Sequence, residues 1–285
     1  MRPAGAASHL DLFEQPGVFP HPPNASEGSE VLPRTRPFSD APAGQAPGPP
    51  IVRVGVVTST QSVAFELAAD GAPDRTVVVA DTQTAGRGRR GRRWSDEPRA
   101  SLLASIVVRP RLAFRDLPKL SLATGVAVAD AVEAVAGLAV RLKWPNDLVV
   151  GGRKIAGILL ESRITTEALV VVGVGLNLGQ RRFPRELSGS ATSVALETGQ
   201  TVERDVMLEA VLAAFDAWRV RLEREGFVSV RERWLALTDT IGRRVTVDGR
   251  IGVAVDLDGD GALVIRDAGG VQHVVAGEVI VDGCS

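Results

Sequence analysis

Between residues 51 and 178 the chain alternates short β-branched apolar runs with stretches of helical periodicity, and this alternation limits the fold more than any other feature. IVRVGVVTST (51–60), RTVVVAD (75–81), SLLASIVVRP (101–110) and ALVVVGVGLNL (168–178) each read as a strand, because Val and Ile pack well on a pleated backbone. The first is expected to run into a Thr-Ser-Thr corner, the second to end at Asp81, and the third to stop at Pro110. LPKLSLATGVAVADAVEAVAG (117–137) spaces its apolar residues for a helix, with Pro118 near the start and Gly137 past the end. SVAFELAAD (62–70) is a shorter helix with Ser62 near its N-cap. AVRLKWPND (139–147) is a strand that turns at Pro145, and LVVGGRKIAGILLES (148–162) is a hairpin closed by Gly151-Gly152. Two amphipathic helices follow, over 202–226 and 228–237. The expected class is α/β in the broad sense (α+β).

Two boundaries flank this region. Residues 1–50 hold 11 of the 17 prolines, and proline removes backbone donors and breaks helices. The segment reads as a disordered tail, with HLDLFEQPG as a candidate docking motif inside it. Its net charge of −2 and its lack of helical periodicity argue against a basic arm or a helix-turn-helix module. From about residue 238 the texture changes to short β runs broken by Asp-Gly and Gly-Gly turns, which predicts a small all-β barrel over 238–285. The expected organisation is therefore a tail (1–50), a main domain (51–237) and a barrel (238–285).

Composition removes several functions. A net charge of −1 excludes a bulk nucleic-acid binder, so any electrostatic role is local. The single cysteine, Cys284, excludes a disulfide framework and a cysteine metal cluster, and points to a reducing cytoplasm. No apolar run reaches the roughly 18 residues that span a membrane, and the N-terminus has no signal-peptide core. The histidines are His9, His21 and His273, two in the tail and one in the barrel. No HExxH motif and no Ser-His-Asp or Cys-His set can be built around them. Chemistry in this chain must rest on charge stabilisation and positioning.

TAGRGRRGRRW (84–94) offers that charge: five arginines between Arg87 and Arg93, spaced by glycines and uninterrupted by any acid. Fixing such a backbone costs roughly 1–2 kcal/mol per residue. A charge-assisted hydrogen bond returns about 1.5–3 kcal/mol. The loop is thus expected to be mobile alone and to close on a polyphosphate or a carboxylate–phosphate pair. A solvated Arg-Gly loop is the competing reading. KWPNDL (143–148) places Lys143, Asn146 and Asp147 at a strand end, where ligands of α/β sheets commonly bind. Asn146 and Asp147 could serve a metal-bound phosphate or a ribose, or simply form a turn after Pro145. Lys154 opens an otherwise apolar strand, so its ammonium must reach solvent or an anion. The chain keeps only three lysines against 30 arginines, and two of them lie within this short region. In GVGLNLG (173–179), Gly173 and Gly175 would let a ligand approach the backbone, and Asn177 offers an amide. Neither a Rossmann nor a Walker A pattern is present.

Taken together, TST (58–60), TQTAGRGRRGRRW (82–94), KWPND (143–147), GGRKIAGILLE (151–161) and GVGLNL (173–178) resemble biotin protein ligases, in that family's order and spacing. The likeness covers about residues 51–285. It implies a largely antiparallel mixed sheet with packed helices, a class II synthetase-like catalytic domain and a C-terminal SH3-like barrel. It also implies ATP-dependent, Mg²⁺-assisted activation of biotin to biotinyl-5′-AMP, then transfer to a lysine of a biotin carboxyl carrier protein of an acyl-CoA carboxylase. Matched to the family's motifs, Ser59, Thr60, Gln83, Gly86, Arg87, Gly88, Arg89, Trp94 and Lys154 would surround biotin. Arg87, Arg89, Arg92, Asn146, Asp147, Lys154 and Asn177 would serve the nucleotide, with Mg²⁺ near Asn146 and Asp147, and Arg89 and Lys154 would act in catalysis. Some family members carry an N-terminal winged helix. The first 50 residues here do not resemble one, which predicts a ligase without sequence-specific DNA binding. The resemblance leaves open a homodimer through the catalytic sheet. Lipoate–protein ligase or octanoyltransferase activity, and nucleic-acid binding by the arginine loop, are the alternatives.

Overall fold

The protein's structure, a computed structural model, describes residues 48–164 and 168–281. The tail expected over 1–50 therefore lies almost wholly outside the described residues, as do His9, His21 and Cys284. Seven strands form one sheet: β1 (Ile51–Val57), β2 (Val77–Gln83), β3 (Ser101–Val108), β4 (Arg141–Lys143), β5 (Asp147–Val150), β6 (Arg153–Ile164) and β7 (Ala168–Asn177). Their order is β1-β2-β3-β7-β6-β5-β4. β1 and β2 pair in parallel across helix α1 (Thr60–Ala69), and the other five pairings are antiparallel. The β5–β6 hairpin turns at Gly151 and Gly152, both with positive φ (56° and 78°), a conformation open to glycine.

Side-chain parity decides what covers each face. From β3, Leu102, Ala104, Ile106 and Val108 join Val170, Val172, Val174 and Leu176 of β7 in the main core. Helices α2 (Lys119–Ala136), α4 (Arg204–Glu225) and α5 (Val228–Leu237) supply the other half of that core. The opposite parity, Val78, Val107 and Val171, meets Val63, Ala64, Phe65 and Ala68 of α1. Helix α3 (Val194–Thr198) is a short turn beyond β7. No described helix is long and apolar enough to cross a membrane.

Three local expectations are corrected. Helix α1 starts at Thr60, with Ser59 rather than Ser62 as the residue before it, because Ser59 is the last extended position (φ −161°, ψ 135°). Strand β2 continues past Asp81 to Gln83, since Val56 and Val57 keep pairing with Thr82 and Gln83. The strand expected over 139–147 is reduced to β4, because Trp144 leaves the strand to enter the core, where it is 2% exposed.

Beyond residue 240 lies a five-stranded antiparallel sheet: β8 (Arg244–Val247), β9 (Arg250–Leu257), β10 (Leu263–Asp267), β11 (Gly270–Val274) and β12 (Val279–Val281). Its order is β11-β10-β9-β8-β12. Polar bonds tie it to the helical side of the large sheet. Lys119 Nζ reaches Asp116 (2.7 Å) and Asp260 (3.2 Å), Arg231 pairs with Asp256 (2.7 Å), and Trp144 Nε1 donates to Gly261 O (3.1 Å). The Trp144 ring matters more than its single bond. Trp144→Ala is expected to cost about 3–5 kcal/mol of stability, and Trp144→Phe about 1 kcal/mol. Urea unfolding followed by circular dichroism checks both.

Candidate functional site: a glycine-floored cavity under an arginine loop

The cavity opens on the face of the large sheet that α1 covers, beside the start of that helix. Along β6 and β7 the residues facing this side are Gly157, Leu159 and Glu161, and Gly175, Gly173 and Val171. Cross-strand pairing sets Gly157 against Gly175 and Leu159 against Gly173. Glycines at these positions leave a depression, and two side chains of the same chain stand in it. A Cβ on Gly175 would lie 2.7 Å from the Trp94 ring, one on Gly157 3.2 Å from that ring, and one on Gly173 3.2 Å from Gln61. The glycines expected to admit a ligand to the backbone thus admit Trp94 and Gln61. Those two side chains then wall a narrow cavity of about 50 Å³, which they largely fill.

Ser59, Thr60 and Gln83 line the same space. Thr60 donates to Gln83 Oε1 from both its backbone N (2.8 Å) and its Oγ1 (3.1 Å), while Ser105 Oγ donates to Thr60 Oγ1 (2.8 Å). With its oxygen engaged, Gln83 presents its Nε2 as a donor beside Gly86. Ser59 Oγ, Gln61 Oε1 and Trp94 Nε1 are buried with no hydrogen-bond partner among the described residues. An unpaired buried polar group costs about 1–3 kcal/mol. Three of them around one cavity fit a ligand that brings both donors and acceptors.

The arginine loop closes the cavity as a narrow turn. Trp94 N bonds Gly86 O (2.9 Å), Gly88 N bonds Arg92 O (2.7 Å), and Arg92 N bonds Arg89 O (3.2 Å). Gly86 is required here, because a Cβ would lie 2.8 Å from Trp94 O. The five arginines diverge. Arg87 pairs with Glu161 (3.1 Å), Arg89 donates to Asn146 Oδ1 (3.3 Å), and Arg93 donates to Thr84 O (2.7 Å). Arg90 pairs with Asp248, and Arg92 with Glu278. Burial, with neighbouring Arg90 adding to it, pushes the Arg89 guanidinium below its ordinary pKa, and Asp147 and Asp248 oppose the shift.

Lys154 Nζ lies 2.6 Å from Asp147 Oδ1 and 5.7 Å from the centre of the Trp94 ring. Asn146 is held at both ends, since its Nδ2 also donates to Ile158 O (2.7 Å). A wider cleft adjoins the cavity and shares Gly88, Arg89, Trp94, Asn146 and Lys154 with it. Arg92, Asp147, Asn177 and Glu278 lie along that cleft. Asn177 Nδ2 donates to Thr192 O (2.9 Å) and its Oδ1 accepts from Gln180 (3.1 Å), so its amide fixes the segment after β7. Among the described residues, no group of three or more His, Cys, Asp or Glu is placed to hold a metal ion.

The structure therefore gathers Ser59, Thr60, Gln83, Arg87, Gly88, Arg89, Trp94, Asn146 and Lys154 around one cavity. Gly86 shapes the loop, while Arg92, Asp147 and Asn177 border the cleft. Sequence reasoning passed over Gln61, Gly157 and Glu161. Gly157 carried a signal, a glycine inside an apolar strand. Glu161 shares its parity and was readable once the cavity face was known.

Two family models match the chain: the biotin/lipoate A/B protein ligase family over residues 54–177, and the biotin protein ligase C-terminal domain over 240–282. A biotin–[acetyl-CoA-carboxylase] ligase of Mycobacterium tuberculosis is 37% identical over 246 residues, covering 80% of this chain and 88% of its own. A bifunctional ligase/repressor BirA of Bacillus spizizenii is 33% identical over 240 residues, covering 81% and 74%. Among solved structures, a biotin protein ligase from Aquifex aeolicus in complex with biotin and ATP superposes with a TM-score of 0.73 at 28% identity, covering 81% and 98%.

The glycine floor is open to test without a ligand. Gly175→Ala should expel the Trp94 indole from its seat and red-shift tryptophan emission. Unchanged emission in the folded variant would show that the close approach is not required.

Proposed function

Because the chain belongs to the biotin protein ligase family, we propose that the glycine-floored cavity takes biotin and the adjoining cleft takes ATP. The protein is an ATP-dependent biotin–protein ligase. The observation that carries the site assignment is the trio of unpaired buried polar groups, Ser59 Oγ, Gln61 Oε1 and Trp94 Nε1. A ureido ring offers one carbonyl acceptor and two N–H donors, which complements that trio together with Gln83 Nε2. The dithiolane of lipoate or the tail of octanoate would leave those groups unpaired, which favours biotin over the lipoate alternative.

The junction of cavity and cleft is where the two anions meet. Biotin's carboxylate oxygen attacks the α-phosphorus of ATP, the bond to the β-phosphate oxygen breaks, and pyrophosphate leaves. Lys154 and Arg89 stand at that junction, shared by both spaces, and offset the repulsion between carboxylate and triphosphate. A lysine suits a point where negative charge moves from carboxylate to phosphate, because its ammonium carries no fixed fork. Asn146 holds Arg89 in place. Arg87 and Gly88 cover the biotin tail, Arg92 and Asn177 lie on the nucleotide side, and Asp147 is the protein carboxylate beside the phosphates.

No ready-made metal cluster is needed for this arrangement. Mg²⁺ typically binds through one or two carboxylates with substrate phosphates supplying other oxygens, and Asp147 fits that mode, whereas Asn146 Oδ1 is already engaged by Arg89. Bound there, the ion would neutralise phosphate charge. In the second step the amine of an acceptor lysine attacks the acyl carbon, AMP leaves, and the amine loses a proton. The relatives named biotin–[acetyl-CoA-carboxylase] ligase support a biotin carboxyl carrier protein as the acceptor. Catalytic chemistry is assigned to 51–237, with 238–285 bordering the nucleotide. The nucleic-acid reading is disfavoured, because the arginines diverge to separate partners instead of forming one basic face.

Pyrophosphate release with biotin and Mg·ATP tests the proposal. Release should depend on biotin and fall by roughly 100-fold or more in Lys154→Ala and Arg89→Ala. Ser59→Ala should weaken biotin about tenfold, in line with one lost buried hydrogen bond. Release driven by lipoate or octanoate but not by biotin would overturn the substrate assignment.

A further inference from the structure

The five-stranded sheet reaches into the loop chemistry at two points that the ligase reading leaves unexplained. Arg90 Nη1 and Nη2 each donate to one oxygen of Asp248, both at 2.7 Å. Arg92 pairs with Glu278. Asp248 stands in the turn between β8 and β9, and Glu278 immediately precedes β12. The Arg90–Asp248 pair joins two residues in an unusual backbone setting. Arg90 occupies the left-handed region (φ 56°), and so does Asp248 (φ 48°). At Asp248 the two-residue Asp-Gly hairpin turn accounts for it, since Gly249 follows with φ 82°, whereas an arginine such as Arg90 rarely adopts it. At Arg90 the reversal sends two successive arginines opposite ways, Arg89 to Asn146 and Arg90 to Asp248.

We propose that Asp248 and Glu278 are positioning residues for adenylation. They hold Arg90 and Arg92, which reach along the adjoining cleft to the small sheet, so that Arg87 and Arg89 stand over the biotin cavity. The small sheet thereby sets how long the loop stays closed. The inference rests on the biotin reading for its ligand but not for its geometry. The bidentate pair also accounts for the Asp248 carboxyl lying below its usual pKa, chiefly through the hydrogen bonds from Arg90. All four side chains are 44–59% exposed, so salt can loosen both pairs. Such a latch is weak enough to release on each turnover, as an enzyme must when its intermediate has to meet a protein acceptor.

The loop is rich in trypsin sites, so opening can be read in the ligand-free protein. Asp248→Asn and Glu278→Gln remove the charge and keep the shape, and asparagine tolerates the left-handed turn. Each should speed trypsin cleavage between Arg87 and Arg93 by roughly two- to fivefold, with no change in melting temperature. Each should also speed dissociation of radiolabelled biotin by a similar factor, followed by the label retained with the protein after a chase with unlabelled biotin. Rising salt should narrow the gap in cleavage between the wild type and the double variant, a dependence that a merely structural role would not produce. Equal cleavage and equal biotin release in wild type and variants would overturn the latch. Faster cleavage in a protein that binds no biotin would uphold the latch and overturn the substrate assignment. Should Asp248→Asn fail to fold, Glu278→Gln and the salt series on the wild type decide the matter alone.

Discussion

The site depends on one constraint, the unequal faces of β6 and β7. Toward α2 these strands carry Ala156, Ile158, Val172, Val174 and Leu176, which close the main core. Toward α1 they carry glycine at 157, 173 and 175. The first face provides apolar burial, about 25 cal/mol for each Å² removed from water. The second gives up packing so that an indole and an amide can lie flat on the sheet. A rigid floor with side chains laid on it places polar groups more exactly than a loop would. Ser59 and Thr60 are positioned by the same sheet, because the crossover from β1 into α1 occurs where β2 brings Gln83 alongside.

Charge is handled by pairing within the chain. Arg87 with Glu161 and Lys154 with Asp147 are partly exposed cation–carboxylate contacts at the border of the site. Each carboxylate sits where a carboxylate or phosphate oxygen would satisfy the same cation. A highly cationic loop with no such partners would carry large self-repulsion in the free protein. Pairing lowers that cost, and partial exposure keeps each pair weak enough to exchange for substrate oxygens.

Much of this was legible in the sequence. The strands were visible because β-branched runs of seven or eight residues have few alternatives, and the hairpin because Gly151-Gly152 permits its turn. The site motifs were visible because charge, glycine and lysine scarcity coincide at 84–94 and 143–154. What stayed hidden depends on contacts distant in sequence. The start of α1 slips from Ser62 to Thr60 because Gln83, 23 residues away, bonds Thr60. The roles of Gly157 and Glu161 require knowing which face of β6 looks at Trp94. The partners of Arg90 and Arg92 lie in the last 40 residues, and nothing in a run of arginines says which carboxylates they will meet.

That last gap answers why the loop needs five arginines when an adenylation site could use two. A flexible loop that must both grip anions and close cannot do so with gripping residues alone, because every cation turned inward adds repulsion and none fixes the backbone. Here the loop divides its cations by direction. Arg87 and Arg89 line the cavity, Arg93 ties the loop to its own base at Thr84, and Arg90 and Arg92 reach along the cleft to the small sheet. Gly91 follows Arg90 with φ 73°, so two consecutive left-handed residues reverse the chain just after Arg89. The glycines therefore give direction as much as freedom. A sheet that bears none of the gripping arginines becomes part of the site through the residues it restrains.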